Sequence, residues 1–313
     1  MGTLTNKKAL IIGAGAIGSF YGALLHKVGW QVSVVARSDA SLVAEQGYQF
    51  ESPLGDISWR PHKVYSNENN NEKFDYVVLC TKVLPSLDRA ALLKPWVSDN
   101  TTIVLIQNGI EIEAPVLEAF PNNPLLSCLA FIAVTRVAPG KIVHKAFGRL
   151  KIGGYPHGNR EVAQPFADAL SAAGVAADVS EDIVYERWLK CVWNTPFNPA
   201  SILANGADTM QMLEAPGGEA FIKTLMAEVV RVAAAAGYDL PADVVEANIA
   251  GTRAMPAYRN SMAIDYLHQR DTETEAILGN VVAVAKKHGV SVPHLETMWA
   301  LIQIRNEPPR VSD

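Results

Sequence analysis

The sequence has 313 residues, of which 49% are hydrophobic and 19% charged, and its formal net charge is -5. This length exceeds the ~100 to 200 residues of a typical domain, so we expect two domains. The negative charge gives no general reason to expect a nucleic acid partner, and no apolar run reaches the ~18 residues of a membrane span. The N-terminus lacks the layout of a signal peptide, so we expect a soluble, cytoplasmic protein with no membrane partner.

The first forty residues have the order strand, glycine turn, helix, strand. Lys8 to Ile12 is a short apolar run, and Ala16 to Val28 has helical periodicity that ends at Gly29. Gln31 to Ala36 is a second strand, which completes a βαβ unit. The sequence therefore predicts an α/β protein that begins with a Rossmann-type, doubly wound sheet.

Further strands are predicted at 76–81 and 102–106, where runs of apolar and β-branched residues are typical of a parallel sheet covered on both faces. Turn signals within 124–155 predict short antiparallel strands added to this sheet. After about residue 178 the pattern is helical, near 182–203, 219–236, 263–288 and 293–305. We expect a dinucleotide-binding domain at 1–178 and an all-helical substrate domain at 179–313.

The GAGAIG loop between the first strand and helix carries glycines at positions 13, 15 and 18, with Ala16 and Ile17 between the last two. Gly13 allows a tight turn, Gly15 lets backbone amides approach a pyrophosphate, and Gly18 lets helix and strand pack closely. The N-terminus of the helix favours the anion. In this strand-turn-helix context the loop predicts dinucleotide binding.

The residues after the second strand bear on the choice between NAD and NADP. A carboxylate there accepts hydrogen bonds from the ribose 2'-hydroxyl of NAD, whereas a cation meets the 2'-phosphate of NADP. Arg37 stands about where the acid would be, with Ser38 beside it as a second donor. This favours NADP(H), although Asp39 keeps NAD as an alternative.

Two other predicted strands end in polar residues at their carboxyl ends, where open α/β sheets bind ligands. Lys82 follows the strand at 76–81, and Asn108 with Gly109 follows the strand at 102–106. Lys82 is equally well explained as an exposed loop lysine, and Asn-Gly is also a common turn pair.

The helical half contains a polar stripe through an otherwise apolar helix. Lys190, Asn194 and Asn198 are spaced by four residues and so lie along one face. Reduction of a ketone leaves negative charge on its oxygen, which requires a proton donor or a cation. No histidine has neighbouring residues that suit it to this role. Partial burial would lower the pKa of Lys190 towards a range in which it can donate a proton.

An acid is also expected in the site, and the segment after Ser261 offers several. Glu273 lies in a helical pattern twelve residues after Ser261 and could orient the substrate or the lysine. Asp265, Asp271 and Glu275 compete with it on periodicity alone. The seven histidines and three cysteines show no metal-ligand spacing, so we predict no metal site.

Together these motifs resemble the ketopantoate reductase (2-dehydropantoate 2-reductase) family over nearly the whole chain. The resemblance is carried by the GAGAIG loop, Lys82, the QNG at 107–109, the pattern of Trp188, Lys190, Asn194, Asn198 and Pro199, and Ser261-Met262 followed by Thr272-Glu273. It implies a Rossmann domain followed by an all-helical domain related to that of 6-phosphogluconate dehydrogenase, with NADP(H) as the cofactor and a small 2-oxo acid as the substrate.

The resemblance also implies a role for each residue. Lys190 would protonate the carbonyl oxygen, and Glu273 would hold the lysine or the substrate hydroxyl in place. The substrate carboxylate and hydroxyl would be bound by Asn194, Asn198 and Ser261. Asn108 would lie between cofactor and substrate, and Lys82 near both.

Two alternatives stay open. Asn260 stands where related sequences often have a second serine, which leaves another 2-oxo acid or ketone as the substrate. A non-catalytic NADP(H)-binding regulator would keep the Rossmann half but would have no need of Lys190 together with Glu273. The apolar helical domain is also compatible with a homodimer.

Overall fold

The computed structural model describes residues 6–36, 39–66 and 71–306. The chain forms two compact units. The first, here called the sheet unit, comprises Met1–Lys82, Leu87–Gln107 and Glu113–Ile183. The second, the helical unit, comprises Val83–Ser86, Asn108–Ile112 and Val184–Asp313. Two short segments from the N-terminal half of the chain therefore belong to the helical unit.

The described strands all lie in the sheet unit and form a single sheet. They are β1 (Lys8–Ile12), β2 (Gln31–Val35), β3 (Tyr48–Glu51), β4 (Ile57–Trp59), β5 (Val64–Tyr65), β6 (Tyr76–Leu79), β7 (Thr102–Ile106), β8 (Leu125–Ala138), β9 (Lys141–Gly154) and β10 (Ala177–Val179). Their order is β4-β3-β9-β8-β7-β6-β1-β2-β5, and β10 pairs with β9. The pairs from β5 through β2, β1, β6 and β7 to β8 are parallel.

The centre of this sheet is buried on both faces, as the continuous apolar runs predict. Every residue of β6 and β7 is buried. Five helices accompany the sheet: α1 (Ala16–Lys27), α2 (Ala40–Gln46), α3 (Arg89–Leu93), α4 (Ala114–Ala119) and α5 (Arg160–Ala172). Separate apolar clusters form around Phe20 and Phe166 and around Leu79 and Trp96. The predicted α/β class with a Rossmann-type sheet is confirmed.

The antiparallel segment differs from the prediction in length. Strands β8 and β9 are 14 residues each, whereas short strands were expected. They turn at Pro139-Gly140, one of the turn signals within 124–155, and the second such signal, Gly153-Gly154, forms the last two residues of β9. Register shifts near Phe131 and Arg136 explain the length, because bulges bend a long pair without ending it.

The helical unit contains seven α-helices and a π-helical turn within its described residues. They are α6 (Ile183–Leu203), α7 (Thr209–Glu214), α8 (Gly218–Ala235), α9 (Val244–Ala254), α10 (Ser261–Leu267), the π-helical turn (Glu275–Gly279), α11 (Asn280–Lys287) and α12 (Pro293–Asn306). Their core includes Trp188, Val192, Phe197 and Met226, together with Ile110 from the segment that follows β7. Among the described residues, no helix is long and apolar enough to cross a membrane.

The continuous helix predicted over 263–288 is wrong. Helix α10 ends at Leu267, Gln269 has a positive φ of 53°, and helical structure resumes in the π-helical turn. The intervening run, HQRDTET, is polar and offers no apolar face for burial, so packing does not extend the helix through it. As a result Glu273 lies in irregular chain two residues before the start of the π-helical turn.

Candidate active site

The glycine loop of the sheet unit connects β1 to α1. Gly13 has a φ of 88°, and a Cβ on it would lie 2.6 Å from the backbone nitrogen of Thr81. A Cβ on Gly18 would lie 2.5 Å from the carbonyl oxygen of Gly13. At Gly15 a Cβ would meet nothing within 4 Å. The first and third glycines are therefore required by the fold, while the space beside Gly15 is open to a ligand.

The start of α1 fits a bound pyrophosphate. Gly15 is the N-cap residue and makes no side-chain cap bond, and no acidic residue stands in the first turn. Ala16 and Ile17, which open the helix, are only partly buried. Backbone amides and the helix dipole at this end favour an anion.

Of Lys82 and Arg37, which were also predicted to bind the cofactor, the structure describes Lys82 but not Arg37. Lys82 follows β6 in the sheet unit and is partly buried. Arg37, with Ser38, lies outside the described residues, so the prediction made on it stays a prediction.

In the helical unit, Asn108 links the predicted lysine and acid. The Lys190 Nζ donates to Asn108 Oδ1 at 3.1 Å, and Asn108 Nδ2 donates to Glu273 Oε2 at 3.4 Å. The other oxygen of Glu273 accepts from the backbone amide of Val83 at 3.0 Å. Because one amide group serves a cation and a carboxylate, its oxygen must face Lys190 and its nitrogen must face Glu273.

The environment of Lys190 shifts its titration. The pKa of Lys190 is lowered from 10.5 to about 8, chiefly by burial and next by the nearby Arg187 guanidinium, whereas Cys191 and Glu273 oppose the shift. An amine with this pKa is mostly protonated at neutral pH yet releases its proton readily. Lys190 is thus suited to act as a general acid.

The segment that carries Asn108 is held on several sides. Arg187, itself only 1% exposed, donates from Nη1 to the Gly109 carbonyl at 2.9 Å. The Ile110 amide donates to the Ala276 carbonyl at 3.0 Å, and Asn280 Nδ2 donates to the Ile110 carbonyl at 2.7 Å. These bonds fix the backbone next to Asn108 and so limit where its side chain can lie.

The rest of the polar stripe is buried, and one of its side-chain atoms lacks a partner within the described protein. Asn194 and Asn198 are 9% and 3% exposed. The Oδ1 of Asn198 is buried and has no hydrogen-bond partner among the described residues. An unpaired buried acceptor costs roughly 1 to 3 kcal/mol. This cost is removed when a ligand donates a hydrogen bond to the oxygen.

Ser261 is the first residue of α10 and is exposed. Its neighbour Asn260 caps the helix by accepting from the Ala263 amide at 2.8 Å. Asn260 also donates to the Phe197 carbonyl at 3.2 Å and accepts from Ser201 Oγ at 3.3 Å. The cap residue thereby ties the start of α10 to the turn of α6 that contains Asn198.

Sequence reasoning missed two contributors to this site. An asparagine directly before an apolar run is a recognised cap signal, which would have identified Asn260. Arg187 stands one helical turn before Lys190 in an apolar helix, and residues at this spacing are neighbours on a helix surface, so the sequence placed the guanidinium near the lysine. Among the competing acids, Asp265 is paired with Arg270 at 3.2 Å, so it does not take the position of Glu273.

A Rossmann-type sheet with this glycine loop, followed by a helical unit with a partly buried lysine, defines a class of dinucleotide-dependent oxidoreductases. Residues 9–157 match the family described as "Ketopantoate reductase PanE/ApbA", and residues 182–306 match its "C terminal" counterpart. The chain belongs to the ketopantoate reductase family. It is an oxidoreductase of the 2-dehydropantoate 2-reductase kind, for which a nicotinamide cofactor is supported.

Individual relatives agree with this assignment. The chain is 31% identical to the 2-dehydropantoate 2-reductase of Nostoc sp., over 95% of this chain and 94% of the relative. The crystal structure of 2-dehydropantoate 2-reductase from Methylococcus capsulatus is 47% identical, with a TM-score of 0.90 and coverage of 95% and 96%. The structure of D-mandelate dehydrogenase with NADH and anilino(oxo)acetate has a TM-score of 0.85 at 23% identity, covers 95% and 97% of the two chains, and shows a shared fold.

Proposed function

We propose that this protein reduces 2-dehydropantoate to (R)-pantoate with NADPH. The observation that carries the proposal is Lys190, whose pKa is lowered to about 8 and whose ammonium group donates to Asn108 at 3.1 Å. A ketone reductase needs such a proton donor, and membership of the ketopantoate reductase family supports the substrate.

The bound cofactor would supply hydride to the ketone carbon. Lys190 would hold its proton towards the ketone oxygen and transfer it as negative charge develops there. Asn108 would fix the position of the ammonium group, because its amide is itself held by Glu273 at 3.4 Å. Glu273 also raises the pKa of Lys190, which favours the protonated form before reaction.

The substrate has a carboxylate and a primary hydroxyl besides its ketone. Asn194, Asn198 and Ser261 would bind these two groups. The buried, unpaired Oδ1 of Asn198 supports this role, because a substrate hydroxyl could donate to it. Ser261, exposed at the first position of α10, offers a hydroxyl near the same part of α6.

For the cofactor, we propose NADP(H) with its pyrophosphate on the GAGAIG loop, contacted by Gly13, Gly15, Ala16, Ile17 and Gly18. The open space beside Gly15 supports this. Arg37 would meet the 2'-phosphate, and Lys82 and Asn108 would lie near the nicotinamide end. The preference for NADP(H) rests on the sequence after β2.

The test is the loss of NADPH absorbance with purified protein and 2-dehydropantoate, beside NADH and a panel of other 2-oxo acids that includes an aromatic one. Fast, NADPH-preferring turnover of 2-dehydropantoate is expected. Preference for another 2-oxo acid would move the reaction to that substrate with the same residues. Tight NADPH binding with no turnover of any ketone would contradict an enzyme and favour a regulator.

We further propose that the protein acts in the cytoplasm as a homodimer. Helix α12 supports self-association, because its apolar residues Leu301 and Ile304 are 48% and 69% exposed. Light scattering of the purified protein tests this, and a monomer mass at micromolar concentration would contradict it.

A further inference from the structure

An ion pair lies in the sheet unit close to the glycine loop. Arg136 Nη1, near the end of β8, donates to Asp39 Oδ2 at 3.0 Å. The Asp39 side chain is 8% exposed and that of Arg136 is 40% exposed. The carboxylate is thus enclosed, while part of the Arg136 side chain faces solvent.

Asp39 stands four residues after the end of β2 and is the N-cap residue of α2. An aspartate at this position usually accepts from a backbone amide of the helix that it starts. Asp39 makes no such cap bond. Its carboxylate instead forms an ion pair with Arg136.

Tyr48 locates this pair relative to the dinucleotide loop. The Tyr48 hydroxyl donates to the Ala14 carbonyl, between Gly13 and Gly15, at 3.2 Å. Burial raises the pKa of Tyr48, the Asp39 carboxylate raises it further, and Arg136 lowers it. Both charges are therefore near a hydroxyl that contacts the loop.

In Rossmann folds the residues just after the second strand face the adenosine ribose. An unpaired acid there would accept from the 2'-hydroxyl of NAD and would repel the 2'-phosphate of NADP. Arg136 neutralises Asp39, and its guanidinium has five N–H donors, more than the one bond to Asp39 uses. A phosphate matches the geometry of those remaining donors.

We propose that the Asp39–Arg136 ion pair sets cofactor selectivity: Arg136 cancels the charge of the acid after β2 and presents N–H groups beyond the one bonded to Asp39 to the 2'-phosphate of NADPH. This inference rests on the proposed use of NADPH and adds two residues from separate elements to the Arg37 prediction. Arg136 is a specificity residue, and Asp39 is the positioning residue that holds it.

The test is calorimetric binding of 2',5'-ADP and of 5'-AMP, since the two ligands differ by the 2'-phosphate alone and need no turnover. Arg136→Ala should weaken 2',5'-ADP at least tenfold and change 5'-AMP less than threefold. Arg136→Lys, which keeps a cation but loses the planar set of N–H donors, should weaken 2',5'-ADP less than Arg136→Ala does and leave 5'-AMP within about threefold of the wild type. Arg149→Ala is the matched control, because Arg149 lies on the same hairpin and packs over Phe131.

The double variant Asp39→Asn/Arg136→Ala separates the two parts of the proposal. Removing the uncompensated acid should recover part of the 2',5'-ADP affinity lost in Arg136→Ala, while the missing cation keeps it below the wild type. Equal weakening of both ligands in Arg136→Ala, or no weakening, would overturn the inference. If the wild type binds 2',5'-ADP no more tightly than 5'-AMP, the proposed NADPH preference itself is wrong.

Discussion

The reaction rate should fall as pH rises through the pKa of Lys190. A required general acid contributes in proportion to its protonated fraction. With a pKa of about 8, about nine tenths of Lys190 is protonated at pH 7 and about one tenth at pH 9. The expected result is a decline of about tenfold in kcat/KM for the ketone between pH 7 and pH 9.

The assay is initial-rate reduction of 2-dehydropantoate at saturating NADPH from pH 6 to pH 10, in buffers of constant ionic strength. A lysine with the unshifted pKa of 10.5 would stay protonated through pH 9. A profile that is flat to pH 9.5 would therefore refute the reasoning. Lys190→Ala should lower kcat by about 10²-fold or more and remove this pH dependence, while the exposed Lys287→Ala serves as the control.

Further outcomes are expected for three sites and for the wild type. Lys190→Met should raise the thermal midpoint at pH 7 by about 3 °C despite the loss of activity. The pKa of Lys190 in the folded protein is about 8, below the ordinary 10.5, because burial destabilises the protonated amine. The stability of the wild type should rise with pH between about 8 and 10.5, because in this range the unfolded state binds more protons than the folded state. Calorimetric scans test the change in thermal midpoint and this pH dependence. Gly109→Ala should lower the free energy of unfolding in urea by about 2 kcal/mol or more, because Gly109 has a φ of 111° and the new Cβ would lie 2.6 Å from the Ala276 carbonyl oxygen; an unchanged midpoint would contradict this. Asn260→Ala should cost about 1 kcal/mol through the lost cap and raise KM for the ketone, whereas Asn260→Ser should keep the cap; equal KM values for the two variants would contradict the role given to the start of α10.

Local patterns in the sequence were enough to predict the centre of the sheet unit. The glycine loop, the apolar runs of β1, β6 and β7, and the helix between Ala16 and Val28 depend on neighbours within a few residues. The polar stripe of α6 was predictable for the same reason, because spacing by four residues determines which side chains share a helix face. The Rossmann-type sheet and the helical second half follow from such short-range information.

The connections within the site were not predictable in this way. Lys190 and Asn108 are 82 residues apart, and Asn108 and Glu273 are 165 residues apart. No periodicity relates positions at such distances, and the π-helical turn that follows Glu273 breaks the helical pattern on which its position was predicted. Only the family resemblance selected Glu273 from its competitors before the structure gave its contacts.

The assignment of Val83–Ser86 and Asn108–Ile112 to the helical unit has a consequence for protein engineering. A fragment that begins at residue 184 would lack Asn108, and also Ile110 of the helical core. A chimera joined near that residue would pair a lysine and a glutamate from one parent with an asparagine and a backbone amide from the other. Recombination between relatives should therefore carry these two short segments together with the C-terminal half.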